Sequence, residues 1–289
     1  MTTGFVALFI LAGAFAFAPP FPLDQTGTAP PPGSAAPQTS TREAPATVPA
    51  DRPAPRGDQN SMTAHAQLLE KAKQGRIDIY FVGDSIVRRW GALDYPELLA
   101  NWTQNFYGWN AGNFGWGADR TQNILWRLEN GELDGVNPEV IVVLAGTNNV
   151  GAQPRTDSEI AEIAGGVKAI VDACRRKAPG ATIVLTAILP RNDSMAAMPA
   201  IDGINRQLAA FADGTRVRFL DINDRLADAN GILVAGVLNE RDKLHPTLKG
   251  YQIWADALKP IFRELLGPPG ATDLAPPPTG DPSAAGIKR

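Results

Sequence analysis

Residues Val140-Ile141-Val142-Val143-Leu144 run directly into Ala145-Gly146-Thr147-Asn148-Asn149. A continuously apolar, largely β-branched run without polar alternation predicts a strand buried on both faces, as in the centre of a parallel sheet. It stops where glycine and asparagine favour a turn. Upstream, Ile77–Val82 (IDIYFV) is a similar run ending on Gly83-Asp84-Ser85, and downstream Thr182–Leu189 (TIVLTAIL) is another. Val217–Leu220 reads as a short strand and Tyr107–Asn113 as a weaker one. Helical periodicity fills the intervals at 63–75, 96–106, 121–128, 158–177, 201–212 and 248–266. Strands alternating with helices predict an α/β layer fold with a mainly parallel sheet. In such folds the chemistry gathers outside the carboxyl ends of the strands.

Composition bounds the rest. The chain has 289 residues and a net charge of −3 without a Lys/Arg block, so nothing electrostatic points to nucleic acid. Its single cysteine, Cys174, excludes an internal disulfide framework and a cysteine-based zinc site, and its helical context predicts a buried small side chain. Phe5–Ala18 (FVALFILAGAFAFA) is shorter than the roughly 20 residues of a membrane span, and suits the apolar part of a signal peptide. Residues 1–18 are therefore expected to be a signal peptide, with an uncleaved anchor as the alternative. Either reading places the protein outside the cytoplasm, secreted or periplasmic. Residues 19–58 are rich in Pro, Ala and Thr and predict a disordered tether, and 267–289 (GPPGATDLAPPPTGDPSAAGIKR) predict a disordered tail. That leaves 59–266 as the folded domain.

Three polar motifs fall at strand ends: Gly83-Asp84-Ser85, Asn113–Asp119 and Gly146–Asn149. Ser85 sits where a strand turns toward a helix, a position that suits either an N-cap or a nucleophile with helix amides behind it. The second glycine of the usual nucleophile elbow is absent, because Val87 stands there. A serine nucleophile needs a base, and the chain offers only His65 and His245. His245 follows Asp242 by three residues, near enough for the carboxylate to hold Nδ1 and leave Nε2 for the serine. His65 lies on an early amphipathic helix and is expected to be structural or to line a rim. One carboxamide of the Asn148-Asn149 pair is a candidate oxyanion donor. The glycines of Asn113–Asp119 lack the spacing of a phosphate-binding loop.

These residues resemble the SGNH (GDSL-type) hydrolase family, whose blocks centre on Ser, Gly, Asn and His. The resemblance spans about Asp78–Leu266 and is nearest the branch of type I platelet-activating-factor acetylhydrolase catalytic subunits and their bacterial relatives. It is carried by Phe81-Val82-Gly83-Asp84-Ser85, Asn113-Phe114-Gly115-x-Gly117-x-Asp119, Leu125–Leu133 (LWRLENGEL), Leu144–Asn149, Leu189-Pro190-Arg191 and Leu244–Tyr251. It implies a three-layer α/β/α sandwich of flavodoxin-like type. It also implies Ser85 as nucleophile, Asp242 and His245 as its triad partners, and an oxyanion hole from the Ser85 amide, the Ala118 amide and the Asn148 side chain. Alanine replaces the family glycine at 118, so Gly117 is the alternative donor. Ile86, Thr147 and Leu244 are implied to border a small acyl pocket. No metal or cofactor is called for, and a homodimer is among the assemblies the resemblance allows.

The expectation is therefore a secreted serine esterase that removes acetyl-type groups, with acetylated carbohydrate as the leading substrate. Trp116 and Trp90 would serve as sugar-stacking rings if exposed, with core packing as the equal alternative. A lipid-directed acylhydrolase and a cell-wall sugar acyltransferase are the competing functions.

Overall fold

The computed structural model describes residues 48–286, which fall in one compact unit. The expected leader at 1–18 and most of the expected tether lie outside them. The elements, in order, are α1 (Gln59–Ala72), β1 (Ile79–Gly83), α2 (Ser85–Trp90), α3 (Pro96–Phe106), β2 (Ala111–Asn113), α4 (Thr121–Arg127) and β3 (Val140–Leu144). They continue with α5 (Thr147–Val150), α6 (Asp157–Lys177), β4 (Thr182–Thr186), α7 (Met198–Ala209), β5 (Val217–Leu220), α8 (Asn223–Leu226) and α9 (Leu248–Leu266). An irregular turn, Leu128–Glu132, follows α4 and is kinked at Asn130-Gly131, where Gly131 takes a φ of +106°. The strand order is β2-β1-β3-β4-β5, and every pairing is parallel.

Side-chain alternation divides the sheet residues between two cores. Tyr80, Val82, Ile141, Val143, Ile183 and Leu185 face a core completed by α4, α6 and α7. Ile79, Phe81, Val140, Val142, Leu144 and Val184 face the other, completed by α2, α3 and α9. Because β1 and β3 are covered on both sides, their sequences read as unbroken apolar runs. The second core is aromatic: Phe81 meets Trp102 at a centroid distance of 4.7 Å and Phe106 at 5.3 Å. Trp90 stacks on Tyr251 at 4.9 Å and on Trp254 at 5.1 Å. Truncating a ring such as Trp90, fully buried here, costs about 3–5 kcal/mol. Cys174 is buried in the first core as expected, and burial pushes its thiol up to about 12.

Both ends of the folded unit reach beyond 59–266. Residues 48–58, expected to be tether, lie along α4. Ala50 is buried, its carbonyl accepts from Thr121 Oγ1 at 2.8 Å, and its amide donates to Glu162 at 3.1 Å. Gln122 and Asn123 of α4 donate to the carbonyls of Val48 and Ala54. The tail expected to be disordered is likewise fixed as far as Gly286. The Arg76 amide donates to Leu274 O at 2.8 Å, and Leu274 donates to Asn110 Oδ1 at 2.7 Å. The amide of Leu93 donates to Thr279 O, and that of Asp281 to Asp94 Oδ1. These segments carry little apolar surface, and composition alone therefore predicts disorder. They are ordered instead by backbone hydrogen bonds to polar side chains and loop carbonyls of the main body, which composition does not register.

Candidate active site

The strand-end motifs converge. Close approach at the end of β1 requires glycine at 83: a Cβ there would lie 2.2 Å from Leu144 O and 2.4 Å from Val87 Cγ2. The chain then turns into α2, and Asp84 rather than Ser85 caps it, its Oδ1 accepting from the Ile86 amide at 2.8 Å. This removes the N-cap alternative for Ser85. The first amides of a helix have no intrahelical acceptor, and the Ser85 N–H donates to no group among the described residues.

Half-buried Ser85 places its Oγ 2.8 Å from His245 Nε2, and His245 Nδ1 lies 2.9 Å from Asp242 Oδ2. Asp242 Oδ1 meanwhile accepts from the amides of Leu244 and His245 at 3.1 and 3.0 Å, fixing the loop ahead of α9. Burial works to raise the Asp242 carboxyl, but these donations and the imidazole hold it below the usual range. Burial lowers His245, the Arg89 cation lowers it further, and Asp242 opposes both. Arg89 is half-buried, donates to Asp242 Oδ2 at 3.3 Å and lies over the Tyr95 ring. Burial and Arg89 thus favour the neutral ring, the form a proton acceptor needs.

The two asparagines separate cleanly. Asn149 is committed to the start of α4: its Oδ1 accepts from Thr121 N and its Nδ2 donates to Thr121 Oγ1 and Gln122 Oε1. Asn148 uses one N–H on Asp119 O at 2.8 Å, leaving the other N–H to donate. Ala118 is exposed with φ +60°, the left-handed conformation that favours glycine, and its amide donates to no group among the described residues. Gly117 has an ordinary φ and open space at its Cβ position. Thr147 and Ile86 are wholly buried and Leu244 half-buried. Thr147 is fixed by Arg191, which donates to its carbonyl at 3.1 Å.

Behind the second motif lies a buried charged cluster; its members fall in the Asn113–Asp119 and Leu125–Leu133 motifs, but nothing in the sequence marks them as buried, since Arg and Glu are rarely so. Arg127 donates to Asp119 Oδ2 at 2.7 Å and to Phe114 O at 3.0 Å, and pairs with Glu132. His65 joins it through Glu132 Oε1 at 2.8 Å, so this histidine is structural, and the one bonded to the serine is His245. Burial lowers the Lys71 ammonium to about 7 while Glu132 opposes that, and Nζ donates to Asn113 O at 2.8 Å. The expected sugar-stacking rings are not surface platforms. Trp90 is wholly buried, and Trp116 is 6 % exposed with its indole N–H on Ser61 Oγ and Arg88 over its face.

A parallel sheet carrying a serine, an imidazole and a carboxylate in hydrogen-bonded sequence outside its carboxyl ends defines a serine acyl hydrolase on an α/β fold. The chain belongs to the GDSL-like lipase/acylhydrolase family, whose model matches residues 81–253. It is 33 % identical over 242 residues to human platelet-activating factor acetylhydrolase IB subunit alpha1, covering 80 % of this chain and 97 % of that one. It is 32 % identical over 224 residues to the rat alpha2 subunit, covering 77 % and 92 %. Among solved structures, a Bacteroides fragilis chain described as an acylhydrolase matches at TM-score 0.58 and 19 % identity, covering 72 % of this chain and 99 % of that one. A GDSL-like lipase from Bacteroides thetaiotaomicron matches at TM-score 0.53 and 19 % identity, covering 71 % and 96 %. These last two likenesses establish the fold. The protein is a carboxylic ester hydrolase.

Proposed function

We propose that the protein hydrolyses short, acetyl-type esters through an acyl-enzyme on Ser85. The observation that carries this is the continuous Ser85–His245–Asp242 hydrogen-bonded relay. His245 Nε2 takes the Ser85 proton as Oγ attacks the ester carbonyl. The oxyanion then receives the amides of Ser85 and Ala118 and the free N–H of Asn148. The imidazolium returns its proton to the leaving alkoxide, and His245 next activates water to release the acid. Between the two candidate peptides, the left-handed Ala118 with its unpaired amide is assigned as donor over Gly117. Ile86, Thr147 and Leu244 are assigned to the acyl side, where two buried walls suit a small group. Ser85→Ala is expected to abolish turnover; retained turnover would remove the assignment.

On the alcohol side, the two buried tryptophans withdraw one support for a carbohydrate, which then rests on the expected export alone. Residues 5–18 remain the basis of that export. A second reading, an acetylated phospholipid, is supported by the names of the relatives and by Arg89, a half-buried cation beside the triad that could meet a phosphodiester. Acetate release from acetylated polysaccharides and from acetylated phospholipids, side by side, separates the two. Product analysis with a sugar acceptor present tests transfer against hydrolysis.

A further inference from the structure

Arg56 lies in the segment expected to be tether, upstream of the residues matched by the family model. Its Nη1 donates to Gly117 O at 3.0 Å and lies 3.5 Å from Asp119 Oδ1. Its Nη2 meets Asp58 Oδ2 at 3.0 Å. Asp58 is itself anchored, since it caps α1 by accepting from the Ser61 amide at 2.9 Å and takes the Ser61 hydroxyl at 3.0 Å. Ser61 Oγ in turn accepts the Trp116 indole N–H at 2.9 Å. The links Trp116–Ser61–Asp58–Arg56–Gly117 thus close a ring around this turn of the loop. On the far side Arg127 holds Asp119 Oδ2 and Phe114 O.

The carbonyl that Arg56 grips belongs to the same peptide unit as the Ala118 N–H. A trans peptide is planar, and its C=O and N–H point in opposite directions. Fixing the oxygen therefore fixes the direction of the N–H. A cation on the oxygen also withdraws electron density from the amide and strengthens the N–H as a donor. This peptide precedes a non-glycine residue in the left-handed region, where turning the unit over would relieve strain. It needs an external hold, and Arg56 supplies one.

We infer that Arg56 is a positioning residue for the oxyanion hole, holding the Gly117–Ala118 peptide with its N–H turned toward the reacting carbonyl. The inference rests on the serine-esterase reading above. It makes the 48–58 strap part of the active-site support.

The test uses the full chain with Arg56→Met and Arg56→Lys, with Ser85→Ala as control, on p-nitrophenyl acetate. Binding of a trifluoromethyl ketone analogue, which forms a tetrahedral oxyanion on the serine, is measured alongside. Arg56→Met is expected to lower kcat by about tenfold, less than the roughly 10²–10³ lost with a whole donor. KM should stay within about twofold, since the hold acts in the transition state. Affinity for the ketone should fall in step with kcat/KM at a near-unchanged thermal midpoint, and Arg56→Lys should recover part of both. Unchanged kcat, or a lower kcat with undiminished ketone affinity, overturns the inference. If Arg56→Met does not fold, Arg56→Lys decides by the same two readings, a partial loss of both supporting the hold. An inactive Ser85→Ala beside unaffected Arg56 variants refutes the positioning role alone, whereas an active Ser85→Ala refutes the esterase reading with it.

Discussion

The Asn148 carboxamide donates to the Asp119 carbonyl oxygen at 2.8 Å, and so the third strand-end motif is tied to the loop that ends the second. Its remaining N–H is the one left for an oxyanion. Asn148→Ala should therefore lower kcat by about 10²–10³ with little change in KM. Asn149→Ala should behave differently, lowering the thermal midpoint, because its carboxamide serves the start of α4. Parallel kinetics and melting curves separate the two; equal kinetic losses would contradict the division of roles.

Arg89 should contribute, after burial, to where the acid limb of the pH profile falls. Neutral His245 is the active form, so activity falls as pH drops through the histidine's pKa. Burial and the Arg89 cation both favour the neutral ring, which places that limb below the ordinary imidazole range of about 6.5. Arg89→Gln removes a charge that opposes protonation and frees Asp242 Oδ2 for the imidazole alone, so both effects raise the pKa. The acid limb of kcat/KM should move to higher pH. Arg191, the other cation acting on His245, remains in place, which makes the shift partial. An unmoved limb would show that Arg89 does not act on the base.

Asp84 should matter for stability through its cap. Its Oδ1 holds the Ile86 amide, while Oδ2 is buried with no hydrogen-bond partner among the described residues. Burial raises this carboxyl to about 7. Asp84→Asn keeps the accepting oxygen and should preserve activity within a few-fold, whereas Asp84→Ala should cost about 1 kcal/mol of stability. Denaturant titration of both variants checks the order.

Ala118→Gly should remain active, because glycine keeps the N–H and takes the left-handed conformation without a Cβ. The relief of about 1 kcal/mol is offset by a similar loss in chain entropy, so the midpoint should move little. Gly83→Ala should instead be severely destabilised, since its Cβ would overlap Leu144 O. A soluble, well-folded Gly83→Ala would contradict the close packing of β1 on β3.

The central sheet was legible because β1, β3 and β4 are covered on both faces, which leaves unbroken apolar runs. Val140–Leu144, Val217–Leu220, Pro96–Phe106 and Leu248–Leu266 have the boundaries their patterns predict. The weak strand at 107–113 shrinks to Ala111–Asn113, because Gly108 and Asn110 adopt positive φ before it. Ser85, Asp242 and His245 were legible as spaced motifs, and the structure places them in contact. Arg56, Arg89, Arg127 and Glu132 were not legible as site residues. Charged residues are ordinarily solvated, and only the fold reveals which carbonyl or carboxylate awaits them. The ordered strap and tail escaped notice for a related reason. What fixes them is hydrogen bonding to the domain, to which composition is blind.

The most direct test of the account is mass analysis of the protein quenched during turnover of p-nitrophenyl acetate. The account predicts one added acetyl group on the peptide containing Ser85, absent in Ser85→Ala and strongly reduced when His245 is replaced, because the imidazole serves the acylation step. Acetyl on another residue, or turnover by Ser85→Ala at the wild-type rate, would contradict it.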